Sequence, residues 1–118
     1  MKDYYNSFVE LSLQQCAKND YANKEKVRKH NVASKKLLAL QEEMKKNADE
    51  EVLYALLGHE DDRVKLNAAS FCLQLGLLTE PSVLALKKVA DDSGDSVIRF
   101  SAKMLLQTHN IRKRRIKL

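Results

Sequence analysis

At 118 residues, with 31% charged and 44% hydrophobic residues, one proline and three glycines, the chain suits one compact domain, and its regular apolar spacing excludes disorder. No stretch approaches the ~20 apolar residues needed to cross a bilayer, and MKDYYNSFVE lacks the apolar core of a secretion signal, so a cytoplasmic location is expected. The formal charge of +5 is polarised: IRKRRIKL at 111–118 carries five Lys/Arg and no acid, leaving 1–110 neutral, whereas residues 42–62 hold eight acids against Lys45 and Lys46.

In chain order, the first predicted helix covers Asp3 to Lys18. Tyr5, Phe8, Val9 and Cys16 share its apolar stripe, Leu11 and Leu13 widen it, and Asp3 stands before it as a cap. A second, long amphipathic helix follows from Asp20, its expected cap, to about Asn47. Ala33, Leu37, Leu40 and Met44 recur at steps of four, three and four, and Val27 extends the line backwards. Its first half is basic, with seven Lys/Arg between residues 18 and 36 against Asp20 and Glu25.

Four shorter helices are predicted at 49–57, 62–75, 80–90 and 96–108. Gly58 follows LYALL and Gly76 follows FCLQL, each where a helix calls for a left-handed terminating residue. Thr79 is placed to cap the next helix, with Pro81 in its first turn, where a missing N–H costs nothing. Gly94 lies in the turn cluster DDSGD. Alternating β-branched runs are absent, so the expected class is all-α.

The region 46–111 reads as two copies of one unit displaced by 33 residues. Asp62 falls on Asp95, Val64 on Val97, Ala69 on Ala102, Leu73 on Leu106 and Gln74 on Gln107. In the preceding helices Leu53 meets Leu86, Leu56 meets Val89 and Leu57 meets Ala90. Each unit is a helix, an Asp-rich turn and a second helix with small residues near its start. The Asp caps the second helix, and alanines let neighbouring helices approach closely. A unit of this size cannot bury its apolar face alone, so stacking is required.

Those residues carry a resemblance. LLGHEDDRVKLNAASFCLQLG resembles the short HEAT-like repeat of bilin lyases and of many small bacterial proteins. That pattern runs Leu-Leu, an Asp-containing turn, Val-Arg, two alanines and Leu-Gly, supplied here by Leu56, Leu57, Asp61, Asp62, Val64, Ala68, Ala69, Leu75 and Gly76. Lys65 departs from the pattern, as do Arg99, two residues beyond Val97, and Ser101 in place of an alanine. The resemblance implies a short HEAT-like α-solenoid of about three antiparallel helix pairs in a single domain. The N-terminal pair would occupy 1–46, the repeats 47–78 and 79–110, and a basic tail 111–118. A likeness of this kind speaks to fold and leaves activity open. Some small bacterial HEAT-like proteins are immunity proteins that neutralise toxins.

Signals for chemistry are weak. There is no phosphate-binding glycine loop, His-Glu metal motif or nucleophile elbow, and His30, His59 and His109 are far apart in sequence. Cys16 and Cys72 sit at apolar helical positions, as core cysteines do. The acids Glu60-Asp61-Asp62 and Asp91, Asp92 and Asp95 are read as turn and capping residues. Neither enzyme chemistry nor a cofactor or metal is expected.

What remains is surface. With Val64, Ala68, Cys72 and Leu75 inward, Arg63, Asn67, Ser70 and Gln74 form an outer stripe, which the 33-residue shift maps onto Ser96, Phe100, Lys103 and Gln107. Phe100 is then either an interface anchor or buried by a rotated register. Lys29 and Lys36 would extend this face, and Asp49, Glu51, Glu60 and Asp61 offer an acidic counterpart that could mimic phosphates. The first functional reading is therefore a non-catalytic protein-binding module, with a toxin domain as a concrete partner. The alternative is nucleic-acid binding through Arg112, Lys113, Arg114, Arg115 and Lys117, although the neutral body and the lack of Trp argue against it.

Overall fold

The computed structural model describes residues 3–14, 24–47 and 50–116. They form six helices: α1 (Tyr4–Gln14), α2 (Lys24–Lys46), α3 (Glu50–Leu57), α4 (Asp62–Leu75), α5 (Thr79–Asp92) and α6 (Ser96–Ile116), with no strand among the described residues. The all-α class read from the periodicity holds. The α2 line Ala33, Leu37, Leu40 and Met44 is buried throughout. Asp3 caps α1, its carboxylate accepting from the Asn6 backbone N–H at 3.0 Å. Asp20 and Cys16 lie outside the described residues.

Helix α4 is the hub. It packs against α1, α3, α5 and α6, and it buries Val64, Leu66, Ala68, Ala69, Phe71 and Cys72. Those six positions cover well over half of the helix circumference, a wider arc than the single apolar stripe of a surface helix, and the remaining arc carries Arg63, Asn67, Ser70 and Gln74. Helix α1 crosses it antiparallel: the Phe8 ring lies 6.4 Å from the Phe71 ring, and one turn on Asn67 donates to the Ser12 hydroxyl at 3.0 Å.

Helices α4 and α6 start identically. Asp61 accepts from the N–H groups of Arg63 and Val64 at 2.9 and 3.3 Å, and Asp95 accepts from Val97 and Ile98 at the same distances. Just before each cap, a side chain braces the turn: His59 Nδ1 accepts from the Asp61 N–H, and Ser93 Oγ accepts from the Asp95 N–H.

This corrects the repeat register. The first helices match at 33 residues, with Leu53 and Leu86, Leu56 and Val89, and Leu57 and Ala90 all buried. The second helices match at 34, because the turn before Asp95 is one residue longer than the turn before Asp61. Asp61, not Asp62, is therefore the mate of Asp95. Buried Val64 answers buried Ile98, Ala68 answers Ala102, and Lys65 answers Arg99. In this register Asp-x-x-Val-Lys-x-x-Ala at 61–68 returns as Asp-x-x-Ile-Arg-x-x-Ala at 95–102. Arg99 is then no longer out of place, because it directly follows the apolar residue as Lys65 does.

One local expectation holds and three change. Gly76 is left-handed at φ 73°, and the Leu77 and Gly76 N–H groups close on the Cys72 and Leu73 carbonyls as a Schellman motif. Gly58 is not left-handed. Thr79 does not cap α5: Leu78 holds that place in a left-handed conformation at φ 49°, with no side-chain hydrogen bond to the helix. Finally, α6 continues to Ile116, so 111–116 is helix rather than a separate tail and His109 lies within the helix rather than at its end.

These positions set stability differences that can be measured. Ala69 is fully buried at the hub, so Ala69→Leu should overpack it and cost about 1–3 kcal/mol; an unchanged melting temperature would place this alanine on the surface. The two glycines should separate cleanly. Gly76→Ala should cost about 1–2 kcal/mol for its left-handed backbone, whereas a Cβ at Gly58 meets only ordinary contacts, the nearest at 3.6 Å. Urea melts showing equal losses for the two would contradict the backbone assignment.

Candidate interaction surface

The predicted outer stripe of α4 is not an open face. Asn67 is half-buried and engaged with Ser12 of α1, Arg63 and Ser70 are half-buried, and Gln74 alone is exposed. The reason is the N-terminal pair: α1, rather than α2, makes the packing against α4. Lys36 is exposed on α2, whose backbone also carries Lys29, but α2 does not extend the α4 and α6 surface as expected. Arg63 is held tightly enough that its Nε is buried without a hydrogen-bond partner.

The acidic candidates divide. Asp61 is half-buried and its Oδ1 accepts both cap hydrogen bonds of α4. Glu51 and Glu60 are exposed, and Asp49 lies outside the described residues. His59 is also committed, its ring accepting from the Asp61 N–H and lying 6.3 Å from that of Tyr5. Among the described residues, no group of three His, Cys, Asp or Glu is arranged to hold a metal ion.

Helix α6 presents the open surface. Phe100 is 64% exposed, which decides between anchor and buried residue in favour of exposure, and Lys103 beside it is exposed too. Val97 and Met104, at 46% and 45%, stand at i−3 and i+4 from Phe100, so the three occupy one line along the helix. Val97 and Met104 were hidden in the sequence, since the 33-residue shift pairs Val97 with buried Val64. The spacing 97, 100, 104 was the available signal. The other exposed apolar side chains, Leu38, Tyr54 and Leu84 among them, sit on separate helices.

From Ser96 to Ile116, α6 contains six Lys/Arg and no Asp or Glu. Arg112, Lys113, Arg114 and Arg115 are part of this helix, and Lys117 lies outside the described residues. On the opposite edge of α6, an open groove of about 450 Å³ runs between it and α5, lined by Val83, Leu84, Lys87, Leu106 and His109.

Cys72 belongs to the interior. Burial raises its thiol pKa above the ordinary range, and the neighbouring Ser82 hydroxyl only partly offsets this. Ser82 is itself buried, with no hydrogen bond of regular geometry. The folded state therefore keeps the thiol protonated while the unfolded chain ionises, so Cys72 makes stability fall as pH rises through the thiol range. In a Cys16→Ser variant, Cys72 should react with a disulfide reagent at pH 8 only as fast as the chain opens, and at a free thiol's rate once urea unfolds it. Fast reaction in the folded state would contradict the packing of α4 against α5.

No protein-family model matches the chain, and the searches of curated proteins and of solved structures likewise gave no match.

Proposed function

We propose that the chain is a non-catalytic protein-binding module of HEAT-like repeat type, whose working surface is the α6 line Val97, Phe100 and Met104. The observation that carries this reading is an aromatic side chain 64% exposed within an apolar line bordered by Arg99 and Lys103. Large apolar residues so placed are typical anchors of protein interfaces, and they have no use in solvent. The turn carboxylates support the same reading, since Asp61 and Asp95 act as helix caps. The shared cap and burial pattern of α3–α4 and α5–α6 supports a short solenoid, an architecture that offers extended binding surfaces without catalytic demands. With the HEAT-like resemblance, the most concrete form of this role is a cytoplasmic bacterial immunity protein that captures a toxin domain.

A second reading has its own observation. Arg112 to Arg115 continue α6 as helix, which gives a nucleic-acid phosphate backbone a regular basic element to meet.

One experiment separates the two. A photo-reactive phenylalanine analogue at position 100 should crosslink to a single protein in source cells, and that protein should form a complex in vitro that Phe100→Ser abolishes. Under the nucleic-acid reading, the full chain should instead bind tRNA or duplex DNA. Removing 111–118 should then flatten the salt slope by roughly four units, nearly one for each phosphate left without its cation. Tight, salt-sensitive nucleic-acid binding with no protein crosslink would overturn the protein-binding role.

A further inference from the structure

We infer that the α6 surface takes a helix, and specifically an acidic amphipathic helix of a partner protein. This rests on the protein-binding reading and specifies the chemistry of its partner.

Helix α4 shows what kind of element belongs there. At the 34-residue offset, Phe100 answers Leu66 and Met104 answers Ser70. Leu66 is 4% exposed and Ser70 half-buried, with four helices packed on α4. Phe100 and Met104 occupy the same places on an equivalent helix, with the same cap and the same buried Ile98 and Ala102 line, yet no helix covers them among the described residues. The fold thus displays at α6 a surface that it elsewhere fills with helices. The apolar residues at 97, 100 and 104 present two turns of ridge, which suits the groove of another helix.

Charge specifies the occupant. Arg99 and Lys103, both exposed, run along one side of the apolar line, and α6 has no carboxylate to neutralise them. A helix bearing Leu-like residues at i, i+3 and i+7 with Glu or Asp beside them meets both features. A second copy of this chain presenting the same face would oppose Arg99 and Lys103 with their own equivalents, and like charges at an interface are unfavourable.

The full-length chain would be titrated at physiological salt with two labelled synthetic helical peptides of about 20 residues, a length that gives a helix several turns. Both carry leucine at i, i+3 and i+7; one is flanked by Glu and the other by Lys. The Glu peptide should bind at least about tenfold tighter, and Phe100→Ser should weaken it at least about tenfold, as removal of an interface anchor does. The melting temperature should not change, since Phe100 is exposed. The double reversal Arg99→Glu with Lys103→Glu should invert the peptide preference. Equal binding of both peptides, no binding, or Glu-peptide binding that survives Phe100→Ser would each overturn the inference. So would a dimer broken by Phe100→Ser, or capture by phosphatidylserine vesicles without capture of the peptide. If the peptides fail while the position-100 crosslink still finds a protein, the acidic helix is wrong and the protein-binding role stands; if the crosslink also fails, both fall.

Discussion

The constraint on which the rest of this structure depends is the enclosure of α4. A 14-residue helix with six buried residues over more than half of its circumference cannot bury them all against one neighbour, and four other helices pack on it. Ala68 and Ala69 make that possible, because only small side chains let helix backbones on different sides approach within packing distance. Burial also presses the polar groups of the helix to find local partners, which the Arg63 Nε lacks. Asn67 finds Ser12, the first N–H groups find Asp61, and the last carbonyls find the N–H groups of Gly76 and Leu77. Cys72 needs little, since a thiol tolerates apolar surroundings at the cost of a harder ionisation.

Helix α6 is built to the same plan and ends in a different state. Its inner line, Ile98 and Ala102, is buried as the α4 equivalents Val64 and Ala68 are, and Asp95 caps it as Asp61 caps α4. What differs is what lies beyond. Where α4 carries Leu66 under cover, α6 carries Phe100 in solvent, with Arg99 and Lys103 along one side of it. The contrast between two equivalent helices isolates the residues that stability does not account for: Val97, Phe100, Met104, Arg99 and Lys103. A buried phenylalanine would be explained by the core, whereas an exposed one at a position that the fold otherwise covers asks for a partner.

How much of this was legible in the sequence follows from what each signal measures. Helical period is written by burial, so the α2 line Ala33, Leu37, Leu40 and Met44 and the existence of all six helices were readable. The left-handed turn at Gly76 was readable too, because few other residues favour that backbone. The register of the second helices was not. Val64 with Val97 and Gln74 with Gln107 match by identity at 33, whereas Val64 with Ile98 and Lys65 with Arg99 match by physical type at 34. The extra residue lies in a turn, where sequence carries no period, and only the hydrogen bonds of Asp61 and Asp95 decide the matter. Likewise α1 and α2 each have an apolar stripe, and pattern alone cannot say which of them docks on α4. Thr79 was a sound cap by residue type, but Leu78 took the turn because its half-buried side chain joins the core. The same one-residue slip hid the candidate surface, since a 33-residue register turns Val97 inward and leaves Phe100 isolated.

The charge pattern, taken alone, does not distinguish one anionic partner from another. A helix with six cations and no acid attracts phosphate, acidic lipid and acidic protein alike, and this attraction acts at long range and weakens with salt. Discrimination has to come from the short-range part of the surface. A phosphate backbone gains nothing by covering three apolar side chains in a line, and stacking on bases would use Phe100 but not Val97 or Met104. A helix buries all three at once, because its own side chains recur at the same intervals. On the proposed protein-binding role, the apolar line is what would select among the partners that the cations attract, in favour of a carboxylate-bearing helix over the polyanions that charge alone would admit.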